Sequence, residues 1–297
     1  MNPLLDIPTC GTAKAVPPPP PYRESRRFYS WAIFACTVAL IVWSAMGTGT
    51  DLRVFLHRDA WFQMGTFVSG LFPPDLSWQF IRSTLWSGVE TFALSLMGTV
   101  LAVLIALPLG VISSRTLLFG IDPPEGKQPV PSARLMRAIP YWGGTLGLNL
   151  LRSIPELFWA LIFILAVGLG PFAGVLALGF HTGGVLGKLF SEVIEDVDPQ
   201  PLEALQATGA PTAAILAYGI FPLALPQLLS YTLYRWEVNI RAAAIIGVVG
   251  AGGIGRDIYV AISLFHYQQL FTLLLMTLVI VTLVDYLSAW VRALQRV

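Results

Sequence analysis

The stretch EALQATGAPTAAILAYGIFP, residues 203–222, is a polar segment followed by an apolar one. It begins with an acidic residue, carries Gly209 and Pro211 close together, and then continues as an apolar segment. Pro199 and Pro201 precede it, and proline is favoured in the first turn of a helix, whereas glycine and proline commonly end one. We therefore predict a short helix that stops at Gly209 and lies between two hydrophobic segments.

The rest of the chain is apolar enough for an integral membrane protein. Hydrophobic residues make up 55% of the 297 residues and charged residues only 12%, whereas soluble domains have about 25% charged residues. The mean hydropathy is +0.70. The apolar runs are long, and the chain has 27 glycines and 22 prolines, which favours a helical bundle over a barrel of alternating strands. The predicted fold class is all-α integral membrane.

Six apolar segments are each close to the ~20 residues that cross the hydrocarbon core. They are residues 28–47, 89–113, 148–170, 172–190, 213–234 and 270–291. The proline-rich residues 1–27 cannot bury a core, so we expect a disordered cytoplasmic tail there and a transmembrane domain over residues 28–297. Residues 48–88, with three tryptophans, are interpreted as an extracytoplasmic loop whose aromatic side chains rest at the membrane interface.

The basic residues predict the orientation of the chain. Six spans put both termini on one side, and twelve of the eighteen Lys and Arg residues fall on that side. Because cytoplasmic loops are enriched in Lys and Arg, both termini and residues 191–212 are predicted to be cytoplasmic. This segment is nevertheless acidic, and docking to a cytoplasmic partner is one explanation. Its carboxylates are Glu192, Glu195, Asp196, Asp198 and Glu203.

The predicted short helix resembles the EAA loop of ABC-transporter permeases. That pattern is Glu-Ala-Ala, three residues, Gly, nine residues, Ile, one residue and Leu-Pro. The matching positions here are Glu203, Ala204, Leu205, Gly209 and Phe221-Pro222. The sequence departs from the pattern at three positions: Leu205 replaces the second alanine, Gly219 stands where isoleucine is expected, and Phe221 replaces leucine.

The flanking sequence resembles the phosphonate-transport permeases, over about residues 85–290. The stretches that carry this resemblance are residues 152–178, 181–192 and 230–255. It implies a type I importer fold in the bacterial inner membrane, assembled as a homodimer with a cytoplasmic ABC ATPase dimer that binds the ATP. It also implies a periplasmic binding protein that delivers a phosphonate or a related oxyanion such as phosphite. Glu203, Ala204, Leu205 and Gly209 would form the coupling helix that sits in a groove of the ATPase.

A polar run, Arg235-Trp236-Glu237-Val238-Asn239-Ile240-Arg241, follows the fifth predicted span. Ionisable groups are costly in a membrane and tend to line a water-filled path. One interpretation is that Arg235 or Arg241 attracts the oxyanion, since a guanidinium matches the geometry of its oxygens. The other is a structural ion pair between Glu237 and Arg241, four residues apart on a helix. Asn239 shares a face with Arg235, and both interpretations can hold together.

A glycine-rich stretch, residues 246–255, is too short to span the membrane and too rich in glycine for a rigid helix. It resembles the re-entrant segment of methionine-type importers, which lines and gates the pore. This resemblance makes Gly250, Gly252 and Gly253 candidate gate residues. A nucleotide-binding loop would need a preceding strand, a following helix and, for a P-loop, a lysine, none of which is present.

Two further polar groups lie within predicted spans. Arg152 and Glu156 are four residues apart near the start of the third span and are predicted to form a structural ion pair. His181 is predicted to make a hydrogen bond between helices.

No catalytic, metal or nucleic-acid site is predicted. The three histidines, at 57, 181 and 266, are scattered, no nucleophile elbow occurs, and no basic cluster is present. No cofactor is expected on this chain. The leading interpretation is a permease subunit that works by alternating access. Importers of methionine or glycine betaine are alternatives, as is a secondary transporter, which would need mid-span carboxylates or an internal repeat.

Overall fold

The computed structural model describes residues 25–49, 57–119 and 131–294, and all regular elements in those ranges are helical. The chain divides into two compact units, residues 1–64 and 65–297. The tail predicted over residues 1–27 lies outside the described residues up to residue 24, and Ser25 already begins helix α1.

In the first unit, α1 (Ser25–Gly47) is the predicted first span. It is apolar and long enough to cross a membrane between Tyr29 and Gly47. Its large side chains, among them Trp31, Phe34 and Trp43, are exposed. An apolar helix with this exposure is suited to a lipid environment.

The second unit contains four long helices that could span a membrane. Their bounds are α3 (Trp78–Ile112), α7 (Pro171–Glu195), the continuous helical segment Thr212–Ala251 and α12 (Tyr267–Leu294). The shorter helix α2 (Arg58–Gly70) begins in the first unit and precedes α3. The other shorter helices lie between the long ones: α4 (Arg115–Phe119), α5 (Pro131–Ser153), α6 (Glu156–Val167), α8 (Pro199–Ala207) and α11 (Gly253–Ser263). The prediction of about six spans is confirmed if α5 and α6 count as one broken span.

The break between α5 and α6 replaces the straight span predicted over residues 148–170. The two helices meet at 92° around Ile154 and Pro155. A proline lacks the N–H that a helix interior needs, and it keeps the preceding residue out of the helical region. The prediction of a straight span was wrong because mean hydropathy does not detect a helix break caused by a single proline.

Two other predicted boundaries were wrong. Helix α3 starts at Trp78, inside the loop predicted over residues 48–88, and α2 also lies within that range. The fifth span, predicted to end at Tyr234, continues as α10 (Phe221–Ile246). Charged residues lower the hydropathy there, but two of them, Glu237 and Arg241, pair with Arg292 and Asp285 on α12.

Segment Thr212–Ala251 is not a uniform α-helix. It consists of α9 (Thr212–Ala214), a π-helical turn (Ile215–Ile220), α10 and a second π-helical turn (Gly247–Ala251). π-Helical turns occur frequently at functional sites. Here one lies beside the predicted coupling helix and the other within the glycine-rich stretch.

Small residues bring α3, α5 and α7 into close contact. A Cβ atom added at Gly98 would lie 2.7 Å from Leu178 Cβ, and one at Gly184 would lie 2.6 Å from the backbone nitrogen of Arg152. Transmembrane helices associate through such close packing, because lipid supplies no hydrophobic drive between them.

Candidate functional site

The predicted coupling helix is α8, and hydrogen bonds define both of its ends. Asp198 Oδ1 accepts a hydrogen bond from the backbone N–H of Gln200 at 3.0 Å, which caps the N-terminus. At the other end Gly209 has φ +78°, and its N–H donates to the Gln206 carbonyl at 2.9 Å. The N–H of Ala210 donates to the Leu205 carbonyl at 3.4 Å. This is a Schellman motif, so the helix stops where the sequence predicts.

The two faces of α8 differ in exposure. Glu203, Ala204 and Gly209 are exposed, whereas Leu202 is 1% exposed and packs in the core of the bundle. Leu205 is half-buried. The helix therefore presents a small, acidic outer face while its apolar face attaches it to the membrane helices.

Gly219, in the first π-helical turn, receives the apolar face of α8. A Cβ atom added there would lie 2.8 Å from Leu202 Cδ2 and 2.9 Å from Leu205 Cδ1. Two departures from the EAA pattern therefore meet in space: a leucine stands where alanine is expected and a glycine where isoleucine is expected. The Leu205 side chain occupies the space that an isoleucine at position 219 would fill.

Much of the acidic segment before α8 has a structural role. Glu195 Oε1 accepts a hydrogen bond from the Arg115 backbone N–H at 2.6 Å, and Lys188 Nζ lies 3.3 Å from Glu192 Oε1. Asp198 caps α8. Among the described residues, Asp196 and Glu203 make no ion pair. Docking is therefore not needed to explain three of these five carboxylates.

A polar network links α3, α7 and α10 inside the bundle. Thr182 Oγ1 donates to Asn239 Oδ1 at 2.7 Å, and Asn239 Nδ2 donates to Thr99 Oγ1 at 2.9 Å. Thr99 in turn donates to the Ser95 carbonyl at 2.7 Å. Asn239 is 1% exposed, so it holds these helices in register rather than lining an open surface.

Arg235 lies at the edge of this network. Its Nη2 is 3.4 Å from Thr182 Oγ1, and its Nε is buried without a hydrogen-bond partner. The Glu156 carboxylate makes no ion pair with Arg235 among the described residues, and Glu156 Oε2 lies 3.4 Å from His181 Nε2.

The hydrogen bond predicted for His181 is present, since its Nδ1 donates to the Ile154 carbonyl at 2.9 Å. The ion pair predicted between Arg152 and Glu156 is absent from the described residues. Arg152 instead donates from Nε to Asn149 Oδ1 at 3.1 Å. The helix break at Pro155 separates the two residues, so helical spacing does not apply to them.

Arg241 belongs to a different cluster, between α10 and α12. Its Nη2 lies 3.1 Å from Glu237 Oε1 and 2.9 Å from each carboxylate oxygen of Asp285. Arg292 Nη2 is 3.4 Å from Glu237 Oε2. The predicted Glu237–Arg241 pair is present, within a cluster of four charges that join the two helices.

The glycine-rich stretch separates α10 from α11 beside the middle of α3. Gly250 has φ +107° and Gly252 has φ +87°. The Gly250 carbonyl accepts a hydrogen bond from the Gly170 N–H at 3.1 Å, and a Cβ atom at Gly252 would lie 2.6 Å from Glu90 Oε1. Side chains are therefore excluded at Gly252 both by its backbone conformation and by Glu90. Gly253, with φ +67°, begins α11.

Helix α11 is capped from another helix. Thr91 Oγ1, on α3, accepts a hydrogen bond from the buried Ile254 N–H at 2.8 Å. Ser87 Oγ donates to Asp257 Oδ2 at 2.5 Å, one turn further along α11. These α3 residues were not predicted, because hydroxyl residues in an apolar helix carry no signal of a distant partner. Thr182 was missed for the same reason, whereas Asp285 was detectable as a charge within a span.

The second unit, with four long apolar helices, the bent pair α5 and α6 and the small exposed helix α8, has the organisation of a polytopic membrane protein. Residues 131–297 match the family model for the binding-protein-dependent transport system inner membrane component, and the chain belongs to this family.

Similar proteins include two from Stutzerimonas stutzeri. The putative phosphite transport system permease protein HtxC is 38% identical over 78% of this chain and 76% of its own length. The phosphite transport system permease protein PtxC is 38% identical over 77% of this chain and 76% of its own length.

The fold also resembles that of the MetNI methionine ABC transporter in an inward-facing conformation. The TM-score is 0.60 and the identity 21%, with 74% of this chain and 99% of that chain covered. The predicted family, the all-α membrane fold and the role of permease subunit rather than enzyme are thus confirmed.

Proposed function

We propose that this chain is the permease subunit of an ATP-driven importer of phosphite or a related phosphonate. The observation that carries the substrate class is the similarity to two phosphite permeases along about three quarters of the chain. The subunit would lie in the bacterial inner membrane with both termini cytoplasmic. It would work as a homodimer with a cytoplasmic ABC ATPase dimer, which binds the ATP, and a periplasmic binding protein.

In this proposal α8 transmits the movement of the ATPases. Glu203, Ala204 and Gly209 are exposed, as a docking surface requires, and Leu202 and Leu205 attach the helix to the bundle. When ATP brings the two ATPases together, the docked helices move with them and the bundles open outward. Hydrolysis of ATP would reverse this movement.

The glycine-rich stretch is the proposed gate. Gly250, Gly252 and Gly253 form a break between two helices, where small backbone rotations would shift α11 relative to α10. The contact between Gly252 and Glu90 supports this role, since it leaves no room for a side chain that would block such a shift.

Reconstituted transport tests the proposal. The permease, its ATPase and the binding protein encoded beside it would be assembled in proteoliposomes, and uptake of radiolabelled phosphite, methylphosphonate, phosphate and methionine would be compared. We expect ATP-dependent uptake of phosphite or methylphosphonate, lost when either partner is left out. Uptake of methionine alone would contradict the substrate class, and uptake without the ATPase would contradict the mechanism.

A further inference from the structure

We infer that Arg235, held by a hydrogen bond to Thr182, binds the oxyanion during its passage through the bundle, and that Arg241 does not. This inference rests on the proposed function, because it assigns a binding residue to the substrate of that transporter. It follows from the partners that each arginine has in the folded chain.

The donors of Arg235 are largely unused. A guanidinium offers five N–H donors, yet the hydrogen bond from Nη2 to Thr182 Oγ1, at 3.4 Å, is the one observed within the described residues. The Nε donor is buried and has no partner. A buried donor without a partner is unfavourable, more so when the group is charged. A ligand that accepts hydrogen bonds would remove that cost.

The surroundings of Arg235 hold it in place without neutralising it. Thr182 donates a hydrogen bond to Asn239, which in turn donates one to Thr99. The oxygen of Thr182 is therefore held by the network. Within the described part of the chain, Arg235 forms no ion pair, and the Glu156 carboxylate is shared with His181. The site thus keeps a positive charge in the bundle interior that is available to a passing anion.

Arg241 differs from Arg235 in the charge of its partners. Its Nη2 contacts Glu237 and both oxygens of Asp285 at 3.1 Å or less. These two carboxylates already offset its positive charge. The carboxylates would also repel the anion, since like charges at close range disfavour each other.

The ligand that suits Arg235 is a small tetrahedral oxyanion. Phosphite and phosphonates present three oxygens on one phosphorus, two of which match two parallel N–H donors of a guanidinium. A lysine would keep the charge at this position but not the paired donors. Arg235→Lys and Arg235→Gln therefore separate the effect of geometry from the effect of charge.

The experiment uses the complete transporter in proteoliposomes, with phosphite and methylphosphonate as probes. Uptake and ATP hydrolysis stimulated by the loaded binding protein are measured for the wild type, R235Q, R235K and R241Q. The exposed Arg82 on α3 supplies the control variant R82Q. Removing hydrogen bonds to a charged group typically costs 1.5–3 kcal/mol, so we expect uptake per ATP hydrolysed to fall about tenfold or more in R235Q.

We expect R235K to retain part of the uptake per ATP, and R82Q and R241Q to keep the wild-type ratio. Wild-type uptake per ATP in both R235Q and R235K would overturn the assignment while leaving the proposed function intact. Failure of the wild type to take up any phosphorus oxyanion would instead overturn the proposed function. If R235Q does not assemble, the test relies on R235K, which keeps the charge. A wild-type ratio of uptake to ATP hydrolysis in R235K would then contradict the inference.

Discussion

Leu205 on α8 fills the space beside Gly219, where a Cβ atom would lie only 2.9 Å from Leu205 Cδ1. The two residues are fourteen positions apart in the sequence, and each departs from the motif that the family is expected to carry. Their contact joins α8 to the first π-helical turn. This turn continues as α10 into the bundle.

This contact predicts that Gly219 and Leu205 are coupled in energy. Gly219→Ile should lower stability by about 1–3 kcal/mol, because it overpacks a filled space. Leu205→Ala should restore part of the loss in the double variant, although Leu202 remains close. Thermal unfolding of the four proteins in a double-mutant cycle measures the coupling. Gly143→Ala is the control, since nothing lies within 4 Å of a Cβ atom there, and additive effects would contradict the contact.

Substitutions at Gly209 are expected to affect substrate-stimulated ATPase activity more than folding. A Cβ atom at this position meets no atom within 4 Å, so a substitution affects the positive φ of +78° and the exposed docking surface. Asparagine tolerates this conformation, and Gly209→Asn should keep most of the substrate-stimulated ATPase activity. Gly209→Trp should insert in the membrane and lose that activity, because the indole would block the groove. Wild-type stimulation in G209W would contradict docking through α8.

Thr91 predicts a specific effect of one hydroxyl. Thr91→Val keeps the shape of the side chain but leaves the buried Ile254 N–H without its acceptor. The expected loss of stability is about 1–2 kcal/mol, as for other helix caps. Thr91→Ser restores an acceptor and should recover most of the loss. Equal unfolding temperatures for T91V and T91S would show that the cap is unimportant.

The Arg241–Asp285 pair predicts rescue by exchange of charges. Arg241→Asp places three carboxylates together and should destabilise the contact between α10 and α12, as should Asp285→Arg with its surplus of positive charge. The double variant restores opposite charges and should recover most of the stability. Both side chains are partly exposed, at 44% and 37%, so we expect single effects of about 1 kcal/mol. Unfolding temperatures measure them, and a double variant no better than either single one would contradict the pairing.

The Asp75 carboxyl is expected to make the stability of the protein depend on pH in the acidic range. Hydrogen bonds from the Ser77 side chain and backbone, and a smaller contribution from Gln269, hold the pKa of this carboxyl below its ordinary value. A carboxyl with a lowered folded-state pKa stabilises the protein above its unfolded-state pKa, near 3.9, and loses that contribution as the pH falls through the folded value. Asp75→Asn should therefore flatten the decline in unfolding temperature below about pH 4. An unchanged decline would contradict this role.

Part of this molecule follows from local features of the chain. Hydropathy predicts the membrane spans, and the prolines before Leu202 and Gly209 after the helix predict α8 and its end. These properties depend on residues within one or two turns of each other, so they can be read along the sequence. The EAA pattern was recognisable for the same reason, despite its three departures.

The remaining features depend on contacts between residues far apart in the chain. Arg235 and Arg241 belong to the same polar run of the sequence. In the structure Thr182 lies beside Arg235, whereas Asp285 lies beside Arg241. The break at Pro155 separates Glu156 from Arg152 and brings it to His181. Thr91 caps a helix that begins more than 160 positions later. Folding brings these partners together, and it places carboxylates beside Arg241 but a hydroxyl beside Arg235.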